Sequence, residues 1–134
     1  MRDEARDWYD GALSDIRMAD SALEAGLNNW ALFAAHQAVE KALKALIMVK
    51  QRERPPKTHD LVELLQHAGI RLDRQLETAL AELSPYYSIA RYPNAGLRRP
   101  WERINRETAV RMLETVKIVV EAVGKELGIA RESQ

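Results

Sequence analysis

The chain has 134 residues, with 46% hydrophobic and 30% charged side chains, which describes a single ordinary globular domain over 1–134 and not a disordered protein. It has no cysteine, so disulfides and thiolate metal sites are excluded, and its formal net charge of zero argues at first against nucleic acid. The start, "MRDEARDWYD", is too charged for a signal peptide, and the longest apolar run, residues 30–49, carries His36, Gln37, Glu40, Lys41 and Lys44, too many polar groups for a membrane span.

Residues 3–25 read as the first helix, with Tyr9, Leu13, Ile16, Leu23 and Leu27 on one face and Trp8 and Ala12 beside them. Gly26, Asn28 and Asn29 mark its stop and the next start. Residues 29–52 form the second and most apolar helix. Ala31, Ala35, Ala38, Ala42 and Ala45 make a ridge that lets a neighbour approach closely, next to a stripe of Leu32, His36, Val39, Leu43 and Leu46. This helix is expected at the centre of a bundle, with a second chain covering one side. Its polar positions are Gln37, Glu40, Lys41 and Lys44; Glu40 and Lys44 are spaced for an ion pair, and the two lysines are expected in solvent.

Two prolines in "QRERPPKTHD" end that helix, and Thr58 is the expected cap of a short third helix ending at Gly69. A fourth starts near Asp73 with Leu72, Leu76, Leu80 and Leu83 in register, and "SPYYSIA" continues it after a bend. Pro93 and its effect on Tyr92 stop the chain's helicity there. The last helix runs from about Asn105 to Leu127, where Val110, Leu113, Val116, Val120, Val123 and Leu127 give the clearest amphipathic pattern in the chain. No period-two pattern competes. The fold class is all-α, a five-helix antiparallel up-and-down bundle.

Charge is segregated along this frame. Residues 1–25 hold seven acids against Arg2, Arg6 and Arg17, whereas residues 91–111 hold six arginines against Glu102 and Glu107. A local anion site can therefore survive a neutral total, although a solvated face explains the same pattern. There is no phosphate-binding glycine loop, no nucleophile elbow and no Glu-x-x-His pair, and His36, His59 and His67 are too scattered to suggest a metal. No metal or cofactor is expected. His36, on an apolar stripe, reads as a core or interface histidine, and His59 as a ring tucked over a helix start. Arg91 has two readings: a structural partner of an acid on the first helix, or an anion ligand whose direction Pro93 fixes.

"AAHQAVEKALKALIMVK", then "KTHDLVELL", then "SIARYPN", in this order and spacing, resemble the HEPN domain (higher eukaryotes and prokaryotes nucleotide-binding) over nearly the whole chain. The resemblance implies a five-helix bundle that commonly pairs as a homodimer, often encoded beside a minimal nucleotidyltransferase in two-component or toxin–antitoxin modules; the charged start and the polar second helix separately lead to the expectation of a cytoplasmic protein. It also implies a cleft facing nucleotide or RNA, onto which His36, Gln37, Glu40 and Lys41 map from the first motif, His59 from the second, and Arg91, Tyr92, Pro93 and Asn94 from the third. Two positions depart from the family pattern. Asn94 stands where an Asp is common, and the ribonuclease signature of an Arg followed four to six residues later by a His is missing, those positions being Ala95, Gly96 and Leu97. A nucleotide-binding regulatory partner of a nucleotidyltransferase is therefore expected, ahead of a metal-independent endoribonuclease toxin or a non-catalytic dimerisation scaffold.

Overall fold

The computed structural model describes residues 3–129, in which every regular element is helical. Seven helices follow in order: α1 (Asp3–Glu24), α2 (Asn28–Lys50), α3 (Leu61–Ala68), α4 (Arg74–Leu83), α5 (Tyr86–Ile89), α6 (Pro100–Arg103) and α7 (Arg106–Glu126). Five are the expected helices; α5 is the expected continuation of the fourth after its bend, set apart as a turn of its own, and α6 is an extra turn after the Arg-Tyr-Pro corner. Arg2, one of the basic residues set against the acidic first segment, lies outside the described residues.

The alanine ridge explains the centre. All five ridge alanines of α2 are buried, and α1 meets them with small residues of its own, Ala5, Ala12 and Ala19 at seven-residue spacing, together with Tyr9 and Ala22. Small side chains on both helices let the backbones approach, so α1 docks through its alanines and not through its leucines. Leu13, expected on the buried face, is 42% exposed as a result. On its other sides α2 is covered by α7 and α3, and sixteen of its 23 residues are buried within one chain. A second chain is thus not needed to cover it.

Hydrogen bonds fix the directions. The Tyr9 hydroxyl donates to the Val120 carbonyl at 2.9 Å near the start of α1, and Arg106 donates to Leu23 O at 2.8 Å near its end, so α1 runs antiparallel to α7. A short turn, in which Leu27 N donates to Ala22 O, reverses the chain between α1 and α2. The α2 and α7 starts share one end, where Asn28 donates to Ile104 O at 3.2 Å.

Capping corrects one expectation. Asp60 is the cap of α3: its Oδ1 accepts from Val62 N and Glu63 N at 2.9 and 3.1 Å. The Thr58 hydroxyl instead accepts from Asp60 N and donates to Glu63 Oε1, shaping the turn before the helix. Asp73 and Asn105 cap α4 and α7. Gly69 closes α3 with φ 69°, a left-handed residue where glycine has no Cβ penalty. "SPYYSIA" breaks into a separate turn because α4 ends at Leu83, before Ser84-Pro85.

Candidate functional site

Two local ties bring the second and third sequence motifs together. The Ser84 hydroxyl, at the end of α4, accepts from Leu61 N at 3.0 Å and so anchors the residue that follows the His59-Asp60 pair. Asn29, buried at the start of α2, donates to Ala90 O at 3.0 Å and holds the chain just before Arg91. His59, Tyr87 and Arg91 are thereby set against the same stretch of α2.

Tyr87 is the centre of this group. Its ring stacks on His59 with centroids 3.7 Å apart and planes 11° apart. The guanidinium carbon of Arg91 lies 4.4 Å from the same ring centroid, 4.9 Å from that of Phe33 and 4.8 Å from that of Tyr92. His36 and Phe33 complete the contacts to Tyr87 at 5.5 and 5.9 Å. Arg91 also donates from Nε to Tyr87 O at 2.7 Å. Three rings and one carbonyl thus hold the guanidinium, a placement in which cation–π attraction substitutes for a counter-ion. Among the described residues Arg91 has no acidic partner, so the ion pair with the first helix is not formed. The side-chain bond from Nε to the carbonyl of Tyr87, four residues earlier, fixes its direction. Among the described residues the terminal nitrogens of the fork make no hydrogen bond or ion pair.

A polar cluster lies behind the rings. Glu40, 4% exposed, accepts from His59 Nδ1 at 3.0 Å and from Lys44 Nζ at 3.0 Å on its two oxygens. The Glu40–Lys44 pair expected from spacing is present, but Lys44 is buried beside Trp8 and not in solvent, at the wall of a cavity that the chain after α2 also lines. An ammonium removed from water in this way requires its carboxylate. Lys41 pairs with Asp15 of α1 at 2.9 Å, away from the cluster.

His36 is fully buried. Its Nε2 donates to the His59 carbonyl at 3.0 Å, and Nδ1 lies 3.3 Å from the Gln37 amide and 3.7 Å from Glu40. Burial pulls its pKa below the ordinary value, outweighing the upward pull of Glu40. With Nε2 donating, Nδ1 of the neutral ring is an acceptor facing another acceptor, Gln37 Oε1, so that contact is not a hydrogen bond. His36 is a structural brace for the His59 backbone. Its ring is shut off from any ligand.

His59 is the opposite case. Its side chain is 47% exposed, Nδ1–H is committed to Glu40, and among the described residues Nε2 has no partner. The carboxylate fixes the tautomer, so the free nitrogen is the unprotonated one in the neutral ring. An open cavity of about 490 Å³ lies beside His59 and Tyr87, with Asp60, Ser84 and Ser88 on its walls. A larger one, about 590 Å³ along α7, is walled by that helix and its cap alone and gathers no such group.

The remaining third-motif residues stand apart. Tyr92 is 51% exposed and touches Arg91, whereas Asn94 is exposed in a turn, paired through its backbone with Arg98. The arginine-rich stretch does not form one anionic-ligand surface. Arg99 is bound to Glu102 through two bonds of 2.8 and 2.9 Å, Arg111 to Glu82, and Arg106 to a carbonyl. Residues that sequence reading misses are Tyr87 and Phe33. The i, i+4 relation of Tyr87 to Arg91, and the run Phe33, His36, Glu40, Lys44 along one side of α2, are the available signals.

Comparison with known proteins bears on this geometry. Residues 5–127 match the HEPN domain. The chain belongs to the HEPN domain family. Among solved structures, TT1696 from Thermus thermophilus is similar at 31% identity and a TM-score of 0.82, over 93% of this chain and 99% of that one. ST0689, an archaeal HEPN homologue, shares the fold at 22% identity and a TM-score of 0.77, over 92% and 97% of the two chains. No functionally curated protein matches. Among the described residues no helix is long and apolar enough to cross a membrane, and no group of side chains is arranged to hold a metal ion.

Proposed function

We propose that this HEPN protein binds the phosphate of a nucleotide or single-stranded RNA at Arg91, with a base against the Tyr87–Tyr92 aromatic surface, as a regulatory module that partners a minimal nucleotidyltransferase. The observation that carries the reading is the Arg91 guanidinium, held by three rings without an acid, its terminal nitrogens uncommitted. Aromatic stacking supplies about 1–3 kcal/mol per base and tolerates any base. Charge-assisted bonds from the fork add about 1.5–3 kcal/mol. The partnership itself rests on membership of the family. Isothermal titration of ATP and of a short RNA tests the binding: Arg91→Ala should weaken it about 10- to 150-fold, and Arg91→Lys should not restore it, since a point charge does not reproduce the fork. Unchanged affinity in both variants would remove the reading.

A second reading, a metal-independent endoribonuclease, is favoured by the placement of His59. In this reading the histidine missing after Arg91 in sequence would come from the turn before α3, where His59 is bonded to Glu40 and stacked on the ring that carries Arg91. His59 Nε2 would take the proton of a 2′-hydroxyl, whose oxygen bonds to phosphorus as the bond to the 5′-oxygen breaks; water protonates the leaving oxygen, and Arg91 balances charge on the phosphoryl oxygens. Cleavage of RNA but not of its 2′-deoxy analogue, in the presence of EDTA and lost in His59→Ala, is the outcome that would rank this reading first. An intact RNA after long incubation would eliminate it.

A further inference from the structure

Lys44 faces two ways. Its Nζ bonds Glu40 at 3.0 Å, and its side chain also forms part of the wall of a separate cavity of about 480 Å³. Trp8, Met48, Arg52, Arg54 and Lys57 line the same space, closed on one side by Pro55 and Pro56. The Lys44 side chain is only 8% exposed, and its ammonium is 5.8 Å from the Trp8 ring centroid. Among the described residues Arg52, Arg54 and Lys57 form no ion pair. Of the acids on the wall, Glu53 is turned to His67 at 2.6 Å and Glu4 is exposed on α1. Arg52 holds φ 54°, a left-handed conformation that a residue with a Cβ keeps only when its surroundings require it. Like-charged side chains gathered round a buried ammonium and an indole form a site short of an anion with a flat ring. The volume lies within the range of small-molecule sites.

We propose that this cavity is a second nucleoside-phosphate site, with the base against Trp8 and the phosphate on Arg52, Arg54 and Lys57, wired to His59 through Lys44 and Glu40. An anion here competes with Glu40 for the Lys44 ammonium. Glu40 then shifts its hydrogen bonding toward His59 Nδ1, whose ring rests on Tyr87. Occupancy of one site thus biases the other, and the coupling is reciprocal. The binding stands independently of the reading of Arg91; only the coupling rests on it.

Tryptophan indole and histidine ring NMR with ADP as the probe tests both parts, with Trp8 assigned through Trp8→Phe. The Trp8 indole should shift saturably, with apparent affinity weakened tenfold or more in the Arg52→Ala/Arg54→Ala double variant and unchanged within twofold in Arg91→Ala. In the Arg91→Ala background the His59 ring resonances should move with ADP, and they should stop moving once Lys44→Met is added at saturating probe. A Trp8 signal that does not saturate, or saturates equally in the double variant, or is lost with Arg91→Ala, would overturn the site. His59 resonances that stay still while Trp8 saturates would overturn the coupling. If RNA fails to bind at Arg91 while Trp8 still saturates with ADP, the earlier reading falls and the cavity stands. The arginine variants are exposed surface changes, so the site remains testable if Lys44→Met does not fold.

Discussion

His36 shows how a motif residue can serve the site without touching a ligand. Its fully buried ring braces the His59 carbonyl, and burial holds its pKa below 6.5. Because the native state resists protonation more than the unfolded chain does, its contribution to stability is complete above pH 6.5 and is lost as pH falls from there toward the lower native value. Urea unfolding at several pH values should show the wild type losing up to about 1.4 kcal/mol per pH unit in that window relative to His36→Gln. Parallel curves for the two proteins would show that His36 is not held neutral. His59, 47% exposed and bonded through Nδ1 to Glu40, is the residue whose free nitrogen meets solvent. Sequence separates the two in part, since His36 lies on the apolar stripe of α2 and His59 at a helix start; which backbone carbonyl or carboxylate meets each nitrogen is set by the fold.

At the scale of elements, close packing is carried by small residues. Gly124 lies inside α7, where alanine would ordinarily gain about 1 kcal/mol of helix propensity. Here a Cβ would overlap the Tyr9 hydroxyl, which is fixed by its bond to Val120 O. Overpacking of this kind costs about 1–3 kcal/mol. Thermal melts should show Gly124→Ala destabilised, and less so when combined with Tyr9→Phe, which removes the overlapping oxygen. A stabilised Gly124→Ala would mean that α1 and α7 are further apart than described. The long helices are legible because α2 and α7 repeat their apolar positions over many turns. The α1 interface misleads because its large side chains draw attention from the alanine stripe that fits the α2 ridge. The turn α5 is legible as the helical continuation that Ser84-Pro85 signals, whereas α6 is not, since four residues are too few to show a period; Tyr87 is missed because nothing in the sequence says what its ring meets.

At the scale of the whole molecule, Leu27, Trp30, Tyr92 and Trp101 are all exposed, and they flank the bonds from Asn28 and Asn29 to Ile104 and Ala90 at one end of the bundle. An apolar end next to Arg91 is where a second copy would pack, and homodimerisation is proposed there in place of the α2 contact first expected. Light scattering at tens of micromolar should give twice the chain mass, and Trp30→Glu/Trp101→Glu should give a monomer that keeps its helical circular dichroism; a wild-type monomer would refute it. The fold unites His59 and Arg91 through one ring that neither motif contains, that of Tyr87. Calorimetric titration of a short single-stranded RNA into the wild type, Arg91→Ala, Tyr87→Leu and the double variant tests it most directly, with circular dichroism confirming each fold. Residues acting as one unit are non-additive, so Tyr87→Leu should weaken binding nearly as much as Arg91→Ala, and the double variant little more than either. Full affinity in Tyr87→Leu, or losses that simply add, would contradict the site.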